Sequence, residues 1–139
     1  MSIRVTGIKE AVSALEDYKK TKTEELEDAV DEATINVERG AKKKAPVDTG
    51  RLRSSIHRTA NGLSGVVFTN VEYAPYMEFG TGSEVDIPSG LEEYAKQFKG
   101  EGKRQVNIPA SPFLFPAWED ERPEFIKRIK KILGRIRSR

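Results

Sequence analysis

The 139-residue chain contains no cysteine, which removes disulfides, thiolate nucleophiles and cysteine-based zinc sites together. It holds a single histidine, His57, so a transition-metal site would have to be built mostly from carboxylates, and none cluster at ligand spacing. No apolar run approaches the ~20 residues a membrane-spanning helix needs, and Met1 to Gly7 lacks the apolar core of a signal peptide. These absences predict a soluble chain with no membrane contact, assembled in a reducing cytoplasm. No glycine-rich loop precedes a helix as a phosphate cradle does, and no cofactor is expected. The net charge is only +2, less than a protein devoted to gripping nucleic acid usually carries.

The charge that is present is unevenly distributed. From Arg122 to Arg139 there are eight basic residues and one acid, Glu124, a sum of +7, so the remainder carries −5 (+2 minus +7). Such asymmetry implies an electrostatically oriented contact. The length fits one domain over residues 1–139. With charged residues at 33% and hydrophobic ones at 37%, the core is modest, and some apolar side chains are expected to be covered by partner subunits.

Alternation over Ser2–Thr6 reads as an edge strand ending at Gly7. Ile8, Val12 and Leu15 recur at helical spacing and predict a first helix to about Lys19. Thr21 and Glu24 have the spacing of a capping box for a second helix, with Leu26, Val30, Ala33, Val37 and Ala41 as its narrow stripe. Acids in its first turns and Lys42, Lys43 and Lys44 in its last complement the helix dipole, and Pro46 ends it. Arg51–Thr59 and Gly65–Thr69 read as strands joined across Ala60-Asn61-Gly62-Leu63-Ser64, in which Asn61-Gly62 is a strong hairpin signal. Gly80 to Ile108 is punctuated by glycines, with one short helix at Leu91–Phe98. The stretch 83–106 is a flexible excursion, expected to order on assembly. A C-terminal helix carries Phe125, Ile126, Ile129, Ile132, Leu133 and Ile136. The fold class is α+β: two N-terminal helices and a C-terminal helix packed on a small, mostly antiparallel sheet.

Catalytic signals are weak. Asp48-Thr49-Gly50 is the tripeptide of aspartic proteases, but a lysine run and Pro46 stand where that loop needs a hydrophobic strand, so a local turn is the better reading. His57 falls on the exposed face of its strand, with no spaced ligand or base. The basic face of the C-terminal helix could instead meet phosphate, a membrane surface or an acidic patch on a neighbour. It has no aromatic residue for base stacking. Tyr73-Ala74-Pro75-Tyr76-Met77-Glu78-Phe79 concentrates aromatics and methionine, which favour interface cores and suit internal packing equally.

Three segments are distinctive in this order: Ala45-Pro46-Val47-Asp48-Thr49-Gly50-Arg51-Leu52-Arg53-Ser54-Ser55-Ile56, Tyr73 through Gly82, and Pro109-Ala110-Ser111-Pro112-Phe113-Leu114-Phe115-Pro116-Ala117. Together they resemble the tailed-phage neck or tail-completion family typified by the gene-ten product of a lambdoid siphophage. The resemblance covers nearly the whole chain except Ser83 to Val106. It implies a non-enzymatic virion protein that forms a homo-oligomeric ring at the head–tail junction. The implied partners are head-completion proteins and tail-terminator or tail-tube proteins, with non-specific contact to DNA in the channel. The runner-up is a nucleic-acid-binding module using the basic C-terminal helix. The residues expected at subunit or partner interfaces are Tyr73, Tyr76, Met77, Phe79, Phe113, Phe115, Trp118, Lys127, Arg128, Lys130 and Lys131.

Overall fold

Residues 8–39 contain neither glycine nor proline and are rich in Ala, Glu and Lys, all good helix formers. In a computed structural model of the chain they run without a break into one 37-residue helix, α1 (Ile8–Lys44). The structure describes residues 6, 8–48, 50–82, 89–97 and 107–137, the last three by backbone alone. The expected strand at Ser2–Thr6 lies outside the described residues, Thr6 excepted.

The division into two N-terminal helices is therefore corrected to one. Thr21 does not cap: its hydroxyl donates back to the Asp17 carbonyl at 3.0 Å, as the Thr23 hydroxyl does to Lys19 at 2.9 Å. Hydroxyls bonded to the i−4 carbonyl ride on a continuous helix, so the capping-box spacing has no end to cap. The acids at 24–28 consequently sit in mid-helix rather than at an N-terminus. The last turn does carry Lys42, Lys43 and Lys44, and the helix stops just before Pro46, as predicted.

The expected strand at Arg51–Thr59 starts late. Arg51–Ser54 forms a single helical turn, α2, entered through Gly50 at φ 74°, and the strand proper is β1 (Ile56–Asn61). It pairs antiparallel with β2 (Ser64–Thr69), in register from Ile56 opposite Thr69 to Asn61 opposite Ser64. The two-residue loop is thus Gly62-Leu63. Gly62 alone takes a positive φ, 57°, at the loop position where glycine is favoured in II′-type hairpins. Asn61 remains a strand residue.

A two-stranded hairpin is marginal in isolation, and this one lies on α1. Gly65 makes the approach possible: a Cβ there would overlap Thr34 Cγ2 and stand 3.1 Å from Val30 Cγ1. Arg58 pins the same face, with its guanidinium 2.6 Å from Asp31 and 3.6 Å from Glu38. Ile56 is buried, His57 exposed and Arg58 half-buried, the alternation expected of this strand.

Beyond the hairpin come α3 (Ala74–Phe79), α4 (Glu92–Lys96) and α5 (Leu114–Arg137). The short helix read at Leu91–Phe98 is α4, running only from Glu92 to Lys96, and residues 83–88 and 98–106 of the expected excursion lie outside the described residues. The C-terminal helix starts earlier than its apolar periodicity implied, within the Phe113–Trp118 cluster. It runs antiparallel to α1: Ala117 lies by Gly40, Asp120 pairs with Lys44 at 2.8 Å, and Arg128 reaches back to Glu32 at 3.3 Å. The small residues Gly40 and Ala117 let the two helices close. The architecture is α+β, with five helical segments rather than three.

Candidate interaction surface

The three distinctive segments converge on one core. Ala45, Leu52 and Ile56 come from the first, Ala74 from the second and Phe113 and Ala117 from the third, packed with Val37 and Ala41 of α1. Met77 and Leu114 pack against its edge. The second and third segments are also tied through the backbone: Ser111 N–H donates to the Met77 carbonyl at 2.8 Å, and Thr81 N–H to the Ile108 carbonyl at 2.9 Å.

Glu78 provides the strongest tie. Its buried carboxylate accepts three backbone N–H groups, from Phe113 and Leu114 at 2.8 and 2.9 Å on Oε2 and from Phe115 at 2.8 Å on Oε1. These donors belong to the start of α5, where helical N–H groups have no intrahelical acceptor and the dipole favours an anion. Glu78 is therefore an N-terminal cap delivered from 35 residues away. Sequence reasoning missed it, since capping signals are sought within a few residues of the helix start. A lone acid among the aromatics of α3 is the one trace it leaves.

The residues expected at interfaces separate into two groups. Phe113 and Phe79 are buried in the subunit's own packing, Phe79 edge-on to Tyr94 with ring centroids 5.8 Å apart, and Met77 is half-buried. Tyr73, Tyr76 and Trp118 are exposed and Phe115 is half-buried. On α5, Lys127, Lys130 and Lys131 are exposed, while Arg128 is half-buried and bonded to Glu32 and Glu121. Part of the charge asymmetry is thus resolved inside the subunit, where the basic helix lies along the acidic middle of α1. The remaining lysines form a ridge, and among the described residues Lys127 alone of the three has a neighbouring acid, Glu124 at 4.0 Å.

The opposite flank of α5 is aromatic. Trp118 and Phe125, with ring centroids 6.2 Å apart, form one wall of an open groove of about 910 Å³. Val30, Ala33 and Val37 of α1, Phe68 of β2 and Tyr94 also line it. Among the described residues its charged lining is Glu72 and Glu78.

Asp48 is exposed on the loop that leads into α2, so the Asp-Thr-Gly tripeptide opens onto a helical turn and not onto the end of a buried strand. Among the described residues, no group of three His, Asp or Glu side chains is placed to hold a metal ion, and no helix is long and apolar enough to cross a membrane.

What these features define is a helical hairpin-clasping α+β subunit with more apolar surface than it covers. Residues 9–80 match the protein family described as "Bacteriophage HK97-gp10, putative tail-component", and the chain belongs to this HK97-gp10-like family. The matched span takes in α1, the β-hairpin and α3, and stops at Gly80, before the Pro109–Ala117 segment. No curated protein and no solved structure matches the chain.

Proposed function

We propose that the chain is a structural, non-catalytic subunit of the head–tail junction of a tailed phage, forming a homo-oligomeric ring that helps join the tail to the DNA-filled capsid. Membership of a phage tail-component family over residues 9–80 carries this reading. The uncovered apolar surfaces support it, because a ring subunit is finished by its neighbours. In this reading the chain assembles in the host cytoplasm and resides in the virion. Its neighbours there are head-completion and tail-terminator or tail-tube proteins.

Deleting the gene from a phage that carries it tests the reading. Full heads lacking attached tails, or heads that lose their DNA, are the expected products in electron micrographs. Tailed, infectious particles from the deletion would refute it.

The exposed ridge of Lys127, Lys130 and Lys131 favours a second role, non-specific contact with duplex DNA in the channel. Each phosphate contacted steepens the dependence of log affinity on log salt by about 0.9, so three lysines give a slope near −3. Changing all three to Glu should abolish that slope; binding without salt dependence would remove the role.

A further inference from the structure

Two apolar surfaces on this subunit have no cover among the described residues, and they lie in different places. The first is the N-terminal part of α1. Ile8, Val12 and Leu15 are 66%, 49% and 67% exposed, and at 3.6 residues per turn they share the helix face of Val30, Ala33 and Val37. One stripe therefore lies under the hairpin and α5 at its C-terminal end and projects bare at its N-terminal end. From Ile8 to Leu26 the projecting arm measures about 27 Å at 1.5 Å per residue, close to the width of a small domain. The second surface is the groove walled by Trp118, Phe125, Phe68 and Tyr94.

Charge complementarity links them. Among the described residues the groove is lined by no Lys or Arg, and of its two acids there Glu78 is committed to the α5 backbone. Glu72 is exposed and has no cationic partner among the described residues. The arm's stripe continues one turn past Leu15 to Lys19, also exposed and without an acidic partner among the described residues. An in-register pair of arms would instead set Lys19 against Lys19.

We propose that the α1 arm of one subunit lies in the groove of the next copy, with Ile8, Val12 and Leu15 on the aromatic walls and Lys19 at Glu72. The proposal rests on the ring reading above and gives it a geometry. An amphipathic helix in an apolar groove is a standard recognition mode. Donor and acceptor surfaces at separate places on one subunit make a head-to-tail contact, which propagates until its rotation closes a ring.

Leu15→Glu disables the arm and Glu72→Lys the groove; both positions are exposed, so circular dichroism and thermal melting should match the parent chain. By sedimentation, each variant alone should associate at least ten-fold more weakly than the parent. Mixed together they should form a 1:1 heterodimer and nothing larger, because one working arm meets one working groove. Lys19→Glu combined with Glu72→Lys should restore association. Parent-like assembly of Leu15→Glu, or a mixture that stays monomeric beside an associating parent, overturns the proposal. Loss of association through Leu15→Glu but through neither Glu72→Lys nor Trp118→Glu overturns it in favour of paired arms.

Should the parent chain be monomeric in solution, a Val12→Cys, Tyr94→Cys double variant decides the matter, since the chain has no other cysteine. Oxidation of purified particles should give a ladder of cross-linked subunits. Particles that contain the chain but give no ladder overturn the arm contact and leave the head–tail reading standing. Particles without the chain, from variants that interlock when purified, do the reverse.

Discussion

The two ends of α1 carry the same face into opposite surroundings. From Ala29 to Ala41 its stripe is buried, with Ala41 fully so, beneath β2 and α5. From Ile8 to Leu15 the same stripe stands exposed. Periodicity is equally regular in both, so amphipathic spacing measures only that a face seeks cover. Whether the cover belongs to the same chain depends on where the other elements fall. The buried half uses small residues, Ala29, Ala33 and Ala41 with Gly40, because a hairpin and a helix press on it. The bare half uses Ile, Val and Leu, which extend further from the helix axis.

The sharpest break of this comparison sets Phe113→Ala beside Leu15→Ala. The first empties the centre of the core and should cost about 3–5 kcal/mol, read by urea or thermal unfolding. The second should stay within ~0.5 kcal/mol, as surface substitutions do. Equal losses would mean that the arm is packed within its own subunit.

Glu78→Ala comes next. It leaves three N–H groups at the start of α5 without an acceptor, and should cost about 3 kcal/mol, since each buried group left unsatisfied costs ~1–3 kcal/mol. Glu78→Gln should fall between, because one amide oxygen can replace only part of the carboxylate. Hydrogen exchange at Phe113, Leu114 and Phe115 should accelerate in both variants. Unchanged protection would remove Glu78 as the cap.

On α5 the contrast is between Arg128 and Lys130. Arg128→Glu places a carboxylate against Glu32 and Glu121 and should destabilise by about 2 kcal/mol, in the ordinary range for breaking a partly buried ionic contact. Lys130→Glu should be neutral to within ~0.5 kcal/mol. Any charge-reversal test of docking by this helix must therefore spare Arg128.

Gly65→Ala should cost about 1–2 kcal/mol by overpacking β2 on α1. Thr34→Ser should recover most of it, because it removes the opposing methyl yet keeps the hydroxyl that donates to the Asp31 carbonyl. No recovery would locate the strain elsewhere.

The smallest effect concerns Glu92. The Gly90 N–H donates to its carboxylate and holds the carboxyl below the usual glutamate range. A depressed folded-state value contributes stability above the unfolded-state value, and that contribution fades as pH falls through the folded one. The group is fully exposed, so the effect on unfolding should be slight. A carboxyl titration by NMR with a midpoint at or above free glutamate would contradict it.

The legible parts of this molecule are those in which a residue's partners lie within a few positions. The stripe of α1, its end before Pro46, the existence of a hairpin between residues 56 and 69 and the helical turn after Leu91 all follow from spacing and backbone preference. Misreadings occurred where a local signal had a competing resolution. Thr21 with Glu24 could cap a helix or ride within one, and the absence of any glycine or proline between Gly7 and Gly40 favours the second. Alternation over Arg51–Arg58 was strand-like, but Gly50 in the left-handed region starts a helical turn that buries Leu52 before the strand begins.

By itself, the amino-acid order determined helix and hairpin chemistry, the absence of thiol chemistry and, over residues 9–80, the family to which the chain belongs. Tertiary structure alone decided that Glu78 caps α5, that Arg128 turns inward to Glu32, and that Gly65 admits the hairpin onto α1. It also decided which end of the long stripe is left bare. The physical reason is distance along the chain: hydrogen bonds and ion pairs between residues tens of positions apart have no periodicity, and only folding brings their partners within reach.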